Sequence, residues 1–341
     1  MPIFRDIHGT EWSLYMSLEQ VGPSVPPPDP VPPPMGADRL RVSGTTLLLP
    51  DGGPWVGRGV NLMDTRGCNA CTTQAPNAAE VIRRMEYFVA MGATFFRLCL
   101  ESYPEGPNTF DAPGRLDDVE LIVAAAGDMD VQILVSLWID DTLGPVDWLP
   151  TTRTYSRLAE LGRRLEKYPH AWIGCCNEPT QNWNGEASPA RFAIMQDCVT
   201  AIRSAGFTGL VTVQGLAAWG RYMEYYYNHR IADSQVVYET HIYGPPTDYD
   251  RQVAQPLAQA LPILIGEYGK VDNYMTQDAA LAVGQQAKAD GVTAAAWVGH
   301  HRCGPDSALL VDHSAGGCGI GMLLELTPWG TALVAMWGSD G

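Results

Sequence analysis

Positive charge is scarce in this chain. Its 341 residues hold 22 Lys and Arg against 38 Asp and Glu, a formal net charge of −16, and no basic cluster reverses that sign locally. Such a surface repels a phosphate backbone, so no nucleic acid is expected as a partner. Long apolar runs are missing too. None approaches the roughly 18 residues that cross a bilayer, so no membrane partner is expected either. The first 20 residues, MPIFRDIHGTEWSLYMSLEQ, are charged throughout and lack the apolar centre of a secretory signal. A second Cys-x-x-Cys is also lacking. Cys68-x-x-Cys71 therefore stands alone, open to reading as a metal half-site, a redox pair or a local disulfide, and zinc is disfavoured. Cys303 and Cys318 bracket a loop-like stretch that a disulfide would close. Cys99, Cys175, Cys176 and Cys198 fall in apolar segments and read as small buried hydrophobes.

What is present is enough apolar residue for a sizeable core, 46% against 18% charged. Residues 22–34, GPSVPPPDPVPPP, suit neither helix nor central strand and read as an extended polyproline spacer. This divides the chain into an N-terminal segment (1–21), a Pro-rich linker (22–35) and a main body (36–341). The first segment is too short to fold alone. It reads as a loosely docked terminus or as a peptide that tethers residues 36–341 to a larger assembly.

From residue 39 the pattern alternates. A short hairpin is expected over 39–49. Eight short apolar stretches then read as buried parallel strands: 56–61, 93–100, 131–138, 171–177, 209–215, 235–241, 262–267 and 291–297. Amphipathic stretches lie between them, most plainly 78–91, 154–167, 187–204 and 277–290. The expected fold is α/β, a single (β/α)8 TIM barrel with a short N-terminal hairpin. Pattern alone also admits a doubly wound sheet.

In such a barrel, function sits at the C-terminal strand ends. Those ends carry Asn61, Arg97, Trp138, Asn177-Glu178, Gln214, His241 with Tyr243, Glu267 and Trp297. Two of them place a carboxylate directly after an apolar run: Gly174-Cys175-Cys176-Asn177-Glu178-Pro179 and Leu264-Ile265-Gly266-Glu267-Tyr268-Gly269. A charge beside a core is costly unless it is paired or used. Two carboxyls facing one cleft suit acid/base work, one protonated and one ionised. Arg97 is a cation able to hold one of them ionised.

Together, Gly59-Val60-Asn61, Arg97, Asn177-Glu178-Pro179, His241-Ile242-Tyr243, Gly266-Glu267-Tyr268-Gly269 and Trp297 resemble glycoside hydrolase family 5, the cellulase and mannanase family of clan A. The resemblance runs from about residue 40 to the end. It implies a retaining, endo-acting β-glycoside hydrolase, with β-1,4-glucan or mannan as the polysaccharide or oligosaccharide substrate and no cofactor or metal. By position, Glu178 would be the acid/base and Glu267 the nucleophile. Asn177 would meet the sugar 2-hydroxyl, Arg97 and Tyr243 would orient Glu267, His241 would line the same subsite, and Trp297 would stack on the sugar, with Trp138 and Asn61 as further substrate-binding residues. Such a substrate implies extracellular action. One departure stands out. Family members often carry histidine at the end of the third strand, where this chain has Trp138, and that leaves the sugar open.

Bland readings accompany these. Either glutamate can be a structural partner of Arg97 or Arg58, His241 a satisfied core histidine, and Trp297 a filler of the barrel. Trp148, Trp183 and Trp219 read as distal sugar contacts or as packing. His300 and His301 lack a third metal ligand at sensible spacing and read as loop contacts. An exo-acting enzyme, with the 300–320 loop closing one end of the cleft, and a non-catalytic carbohydrate-binding barrel are the alternatives.

Overall fold

The computed structural model describes residues 38–63, 77–102, 111–144, 147–180, 187–244, 247–272, 274–302, 306–314 and 319–338, together with two short strands, Phe4–Arg5 and Glu11–Trp12. The polyproline stretch, Cys68, Cys71, Cys303, Cys318 and Trp183 lie outside the described residues. Residues 1–30 and 31–341 make two separate units. In the first, Phe4–Arg5 pairs antiparallel with Glu11–Trp12.

The second unit is a closed barrel of eight parallel strands. We number them β1 (Arg58–Met63), β2 (Phe95–Glu101), β3 (Gln132–Ile139), β4 (Ala171–Gly174), β5 (Val211–Gln214), β6 (Val236–Ile242), β7 (Ile263–Tyr268) and β8 (Thr293–Ala296). Each pairs with its sequence neighbour, and β8 closes on β1 through Ala295↔Gly59. The sequence places all eight, because each is an apolar run shorter than a helix needs.

The helices follow their own signals. Ala78–Ala90 is capped by the Asn77 side chain, which accepts from the Glu80 N–H, and it buries Val81, Met85 and Phe88 at helical spacing. Ser188 caps Pro189–Ser204, with proline in the first turn. Two helices were not evident from periodicity. Arg115–Asp128 is rich in alanine, and Pro328–Trp337 is apolar almost all round, so neither shows a clear polar face. Four buried cysteines, Cys99, Cys175, Cys176 and Cys198, are free thiols. No described helix is long and apolar enough to cross a membrane.

The expected hairpin forms, Arg41–Ser43 with Thr46–Leu48, and gains a third strand at Pro54–Trp55. Its Leu40, Leu47 and Trp55 pack with Phe95, Leu134, Trp172, Val237, Leu264 and Ala295. These last six are inward-facing positions of the barrel strands, so the hairpin closes the N-terminal end of the barrel with an apolar plug. Trp172 sits against Phe95 at 5.1 Å and Trp55 at 5.8 Å between ring centres. With that end filled, polar inward residues are confined to the layers above it.

Trp172 is 1% exposed and joins the hairpin to the barrel. Trp172→Ala is therefore expected to cost about 3–5 kcal/mol of stability, read by chemical denaturation, as a large buried ring leaves a cavity. A loss under about 1 kcal/mol would show that the plug collapses to fill the space.

Candidate active site

Directly above the plug lies Arg97. On β2 the alternation Phe95, Arg97, Cys99 points inward, and Arg97 is fully buried. Its Nε lies 2.7 Å from Glu239 Oε1. Its Nη1 donates to Glu267 Oε1 at 2.8 Å and to Asn61 Oδ1 at 3.1 Å, and its Nη2 donates to Asn177 Oδ1 at 2.6 Å. A guanidinium has five N–H donors and no acceptor, so acceptors must surround it once water is gone, and Cys99 Sγ joins these oxygens at 3.2 Å from Nη1. Burial pulls its pKa down, but the charges of Glu239 and Glu267 more than offset this, and it stays above its ordinary value.

Glu267 reaches this cation through an irregularity. Leu264 packs into the plug, while Ile263 and Ile265 pack in the outer core. Strict alternation would then send Gly266 inward and Glu267 outward. The register of β7 shifts against both neighbours, between Thr240 and His241 on β6 and between Ile265 and Tyr268 towards β8. A bulge of this kind re-aims a side chain. Glu267 accordingly turns to the barrel mouth, where Arg97 holds Oε1 and the Tyr243 hydroxyl donates to Oε2 at 2.9 Å.

Glu178 follows β4, which ends at Gly174, three residues earlier than the expected 177. Its φ is +45°, a left-handed conformation uncommon for glutamate. The turn is held by its own N–H, which donates to Gln214 Oε1 at 2.5 Å. Glu178 Oε1 accepts from His241 Nδ1 at 2.9 Å. The Glu178 side chain is 22% exposed, against 5% for Glu267.

His241 is wedged between carboxylates. Its Nε2 lies 3.2 Å from Glu239 Oε1, and its Nδ1 lies 3.6 Å from Glu267 Oε1 besides the Glu178 contact. Burial lowers its pKa, but the Glu267 charge and the bonds to Glu178 and Glu239 outweigh burial and push it up to about 9. It is thus an imidazolium at neutral pH. Burial raises the Glu178 carboxyl, yet the His241 contact and charge bring it below its ordinary value. For Glu267, burial prevails over His241 and Arg97, and its pKa is raised. Carboxyls this close titrate as a pair.

Above these groups opens a cavity of about 700 Å³, lined by Trp138, Glu178, Tyr243, Glu267 and Trp297 among the residues expected from sequence. Trp138 and Trp297 stack at 5.8 Å with planes 27° apart. Trp297 is joined to Val298 by a cis peptide. Arg97, His241 and Asn61 lie behind the wall, and Asn177 keeps 6% of its surface exposed. For Asn61 this corrects the expectation of a sugar contact. It is fully buried, its amide donates to the Gly266 and Ala295 carbonyls at 2.8 and 3.1 Å, and its oxygen serves Arg97. Arg97 likewise braces other side chains and has no surface for sugar.

Sequence reasoning passed over Glu239 as well as Arg221, Asp248, Tyr274 and Asp306, all but the first of which line the cavity. Glu239 had a signal: it is a charge within the apolar run of β6, two residues before His241 and so on the same face. Asp248 lies in the short helix Thr247–Tyr249 and the others in loops, and none had such a signal. Glu178, His241 and Glu267 each offer an atom within 4.8 Å of the others, a spacing that admits an ion. Those atoms already serve one another, Arg97 and Tyr243, which leaves no free donor set for a metal. His300 and His301 stack on each other at 4.4 Å and are buried.

The model of the cellulase family, glycosyl hydrolase family 5, matches residues 56–301. Similar solved structures include the catalytic domain of Thermobifida fusca endoglucanase Cel5A in complex with cellotetraose, at a TM-score of 0.69 and 17% identity over 88% of this chain and 97% of that one. The catalytic domain of a mannanase from Streptomyces sp. SirexAA-E gives 0.64 and 19% over 90% and 94%. A β-glucanase from Saccharophagus degradans with cellotetraose gives 0.68 and 15% over 90% and 97%. A search of curated proteins finds no match.

The His241 shift has a consequence for stability. Folding raises its pKa from 6.5 to about 9, so its contribution is complete below about 6.5 and is lost as pH rises through about 9. Glu239 is depressed from 4.5 to about 2: burial opposes this, but Arg97 and His241 outweigh it. Its contribution is present above about 4.5 and is lost only as pH falls through about 2. Melting temperatures of the wild type should therefore decline between about pH 6.5 and 9, while those of His241→Gln should be flat across that window. A flat wild-type curve would contradict the imidazolium.

Proposed function

Because the chain belongs to glycoside hydrolase family 5 and is a β-glycoside hydrolase on that ground, we propose that it cleaves a neutral β-linked polysaccharide, a β-1,4-glucan or mannan, internally and with retention of configuration. The observation that carries this reading is the spacing of Glu178 and Glu267, whose nearest carboxylate oxygens come within 4.8 Å. Retaining pairs stand about 5–5.5 Å apart, and inverting pairs about 6.5–9.5 Å, to leave room for a water.

Hydrogen bonding assigns the roles. Both oxygens of Glu267 are held by donors, Arg97 and Tyr243. Protonating it would set a new O–H against them, so Glu267 keeps the negative charge despite its burial, and it is the nucleophile. Glu178 is held at one oxygen and is the more exposed of the two. A sugar entering the cavity strips water from Glu178 far more than from Glu267, which is already dry, so binding raises the Glu178 pKa and puts the proton there. Glu178 then gives that proton to the glycosidic oxygen as the C1–O bond breaks and Glu267 bonds to C1. In the second step Glu178 takes a proton from a water, the water oxygen attacks C1, and Glu267 leaves as carboxylate. Asn177, whose oxygen is fixed by Arg97, has its amide N–H left for the sugar 2-hydroxyl. Trp297 offers an apolar face to the pyranose C–H groups.

The similar endoglucanase, β-glucanase and mannanase support this substrate class. A second reading, exo-action on chain ends, is favoured by one feature. Asp306 and Ser307, from the loop after β8, line the cavity, as a loop that closes one end of it would.

Hydrolysis followed by proton NMR should release the β-anomer first, and an α-anomer would sink the retaining mechanism. Glu178→Gln should lower kcat by about 10²–10⁴-fold, and Glu267→Gln should leave no turnover. Early fall in the viscosity of a soluble glucan or mannan marks internal cleavage, whereas early release of mono- or disaccharide marks the exo reading. A wild type that binds these polymers and cleaves none would be a binding barrel.

A further inference from the structure

Glu239 has no part in the roles just assigned, yet it is fully enclosed at the heart of the site. Its Oε1 faces Arg97 Nε at 2.7 Å and His241 Nε2 at 3.2 Å, with Gln214 Nε2 at 3.3 Å. Its Oε2 accepts from the Thr212 hydroxyl at 2.6 Å. The backbone makes room for it, since a Cβ at Gly266 would stand 2.2 Å from Oε1. A dry carboxylate is expensive unless its oxygens are filled, and here donors on β5 and β6 fill them beside the Arg97 charge.

Resting on the reading of Glu178 as the acid/base, we propose that Glu239 is a positioning residue for that step: it holds His241 as an imidazolium with its Nδ1–H fixed on Glu178. The three groups form a line across the barrel, Glu239 to Nε2 and Nδ1 to Glu178. An imidazole has one N–H when neutral and two when charged. Placing a carboxylate at each nitrogen selects the charged form and fixes the ring plane. The groups facing His241 are Glu178 beyond β4, Gln214 on β5, Glu239 and Tyr243 around β6, Glu267 on β7 and Arg97 on β2. Of these, Arg97, burial itself and the Gln214 amide nitrogen, 3.1 Å from Nε2, oppose the positive charge. Without Glu239, one of the three anions that favour the cation is gone while the opposing influences remain.

The consequence lies in the charge change at Glu178. When it passes its proton to the leaving oxygen it becomes an anion in a cavity filled with sugar. A cation already stands 2.9 Å away, so no water or other proton has to rearrange. With a neutral imidazole, Glu178 would hold its proton to higher pH and donate it less readily. A purely structural Glu239 would neutralise Arg97 and do nothing to His241.

Nitrogen NMR of histidine-labelled protein separates the two. His241, identified by its loss in H241Q, should titrate near 9 in the wild type. In E239Q its midpoint should fall by about two units, and the alkaline limb of kcat/KM should move up by about one unit. E239D keeps the charge and should restore most of both. An unchanged His241 midpoint in E239Q overturns the proposal, as does a fall in kcat with the pH profile unmoved. If E239Q does not fold, the wild type decides alone, because a midpoint below about 7 overturns it. The titration needs no substrate, so its failure is distinct from a failure of the hydrolase reading.

Discussion

A guanidinium with no access to water sits at the centre of this barrel, and its need for oxygen partners organises the mouth above it. Arg97 draws Glu267 from β7, Glu239 from β6, Asn177 from beyond β4 and Asn61 from β1. Each partner is then fixed by a further bond. Tyr243 takes the second oxygen of Glu267, Thr212 that of Glu239, and backbone carbonyls take the Asn61 amide. A buried ion pair seldom adds net stability. What this network supplies is position, since no member can move without stranding a charge in a dry place.

The apolar plug below and the polar layer above are two halves of one requirement. Eight strands enclose just enough room for side chains. Trp172, Phe95 and the hairpin fill the lower part, so water cannot reach Arg97 from beneath. With that route closed, the charges above it act through a low dielectric and on the substrate side. Where the barrel needs a carboxylate in a place alternation does not provide, it breaks regularity: the register shift that turns Glu267 inward, the left-handed φ at Glu178, and a glycine at 266 that leaves space for Glu239.

Much of this was legible in the sequence, for a physical reason. Parallel strands covered on both faces read as short apolar runs, and the residues that end them are the ones a barrel presents at its mouth. Asn177, His241, Tyr243 and Trp297 converge by that rule, while Glu267 and Glu178 need the register shift and the left-handed turn besides. The rule says which residues stand near the mouth, but not which of them face the cavity. Asn61 ends the apolar run that the sequence shows, but β1 continues to Met63, and Asn61 lies behind the wall, because Arg97 and backbone carbonyls claim it. Glu239 was hidden for the opposite reason. It lies inside a strand, where a lone charge among apolar residues is a stronger sign of a built environment than a charge at a strand's end, which water can satisfy. The cavity residues Arg221, Tyr274 and Asp306, from loops, and Asp248, from a single short turn of helix, have no periodicity to reveal them.

The stacked pair Trp138 and Trp297 bears on what the site can select. An indole in contact with another over one face has one face left for a sugar, and its plane cannot tilt without parting the pair. Trp138 thus gives the cavity a rigid apolar wall where the histidine that the resemblance leads one to expect would give a polar one. Hydrogen-bonding pockets reject an epimer strongly, because a misplaced hydroxyl strands a buried donor or acceptor, while apolar walls discriminate weakly. The lining groups able to make such bonds are Glu178, Tyr243 and Glu267 above Arg97, and Arg221, Asp248, Tyr274, Asp306 and Ser307 elsewhere, so the Trp138–Trp297 wall is the part of the cavity that discriminates least.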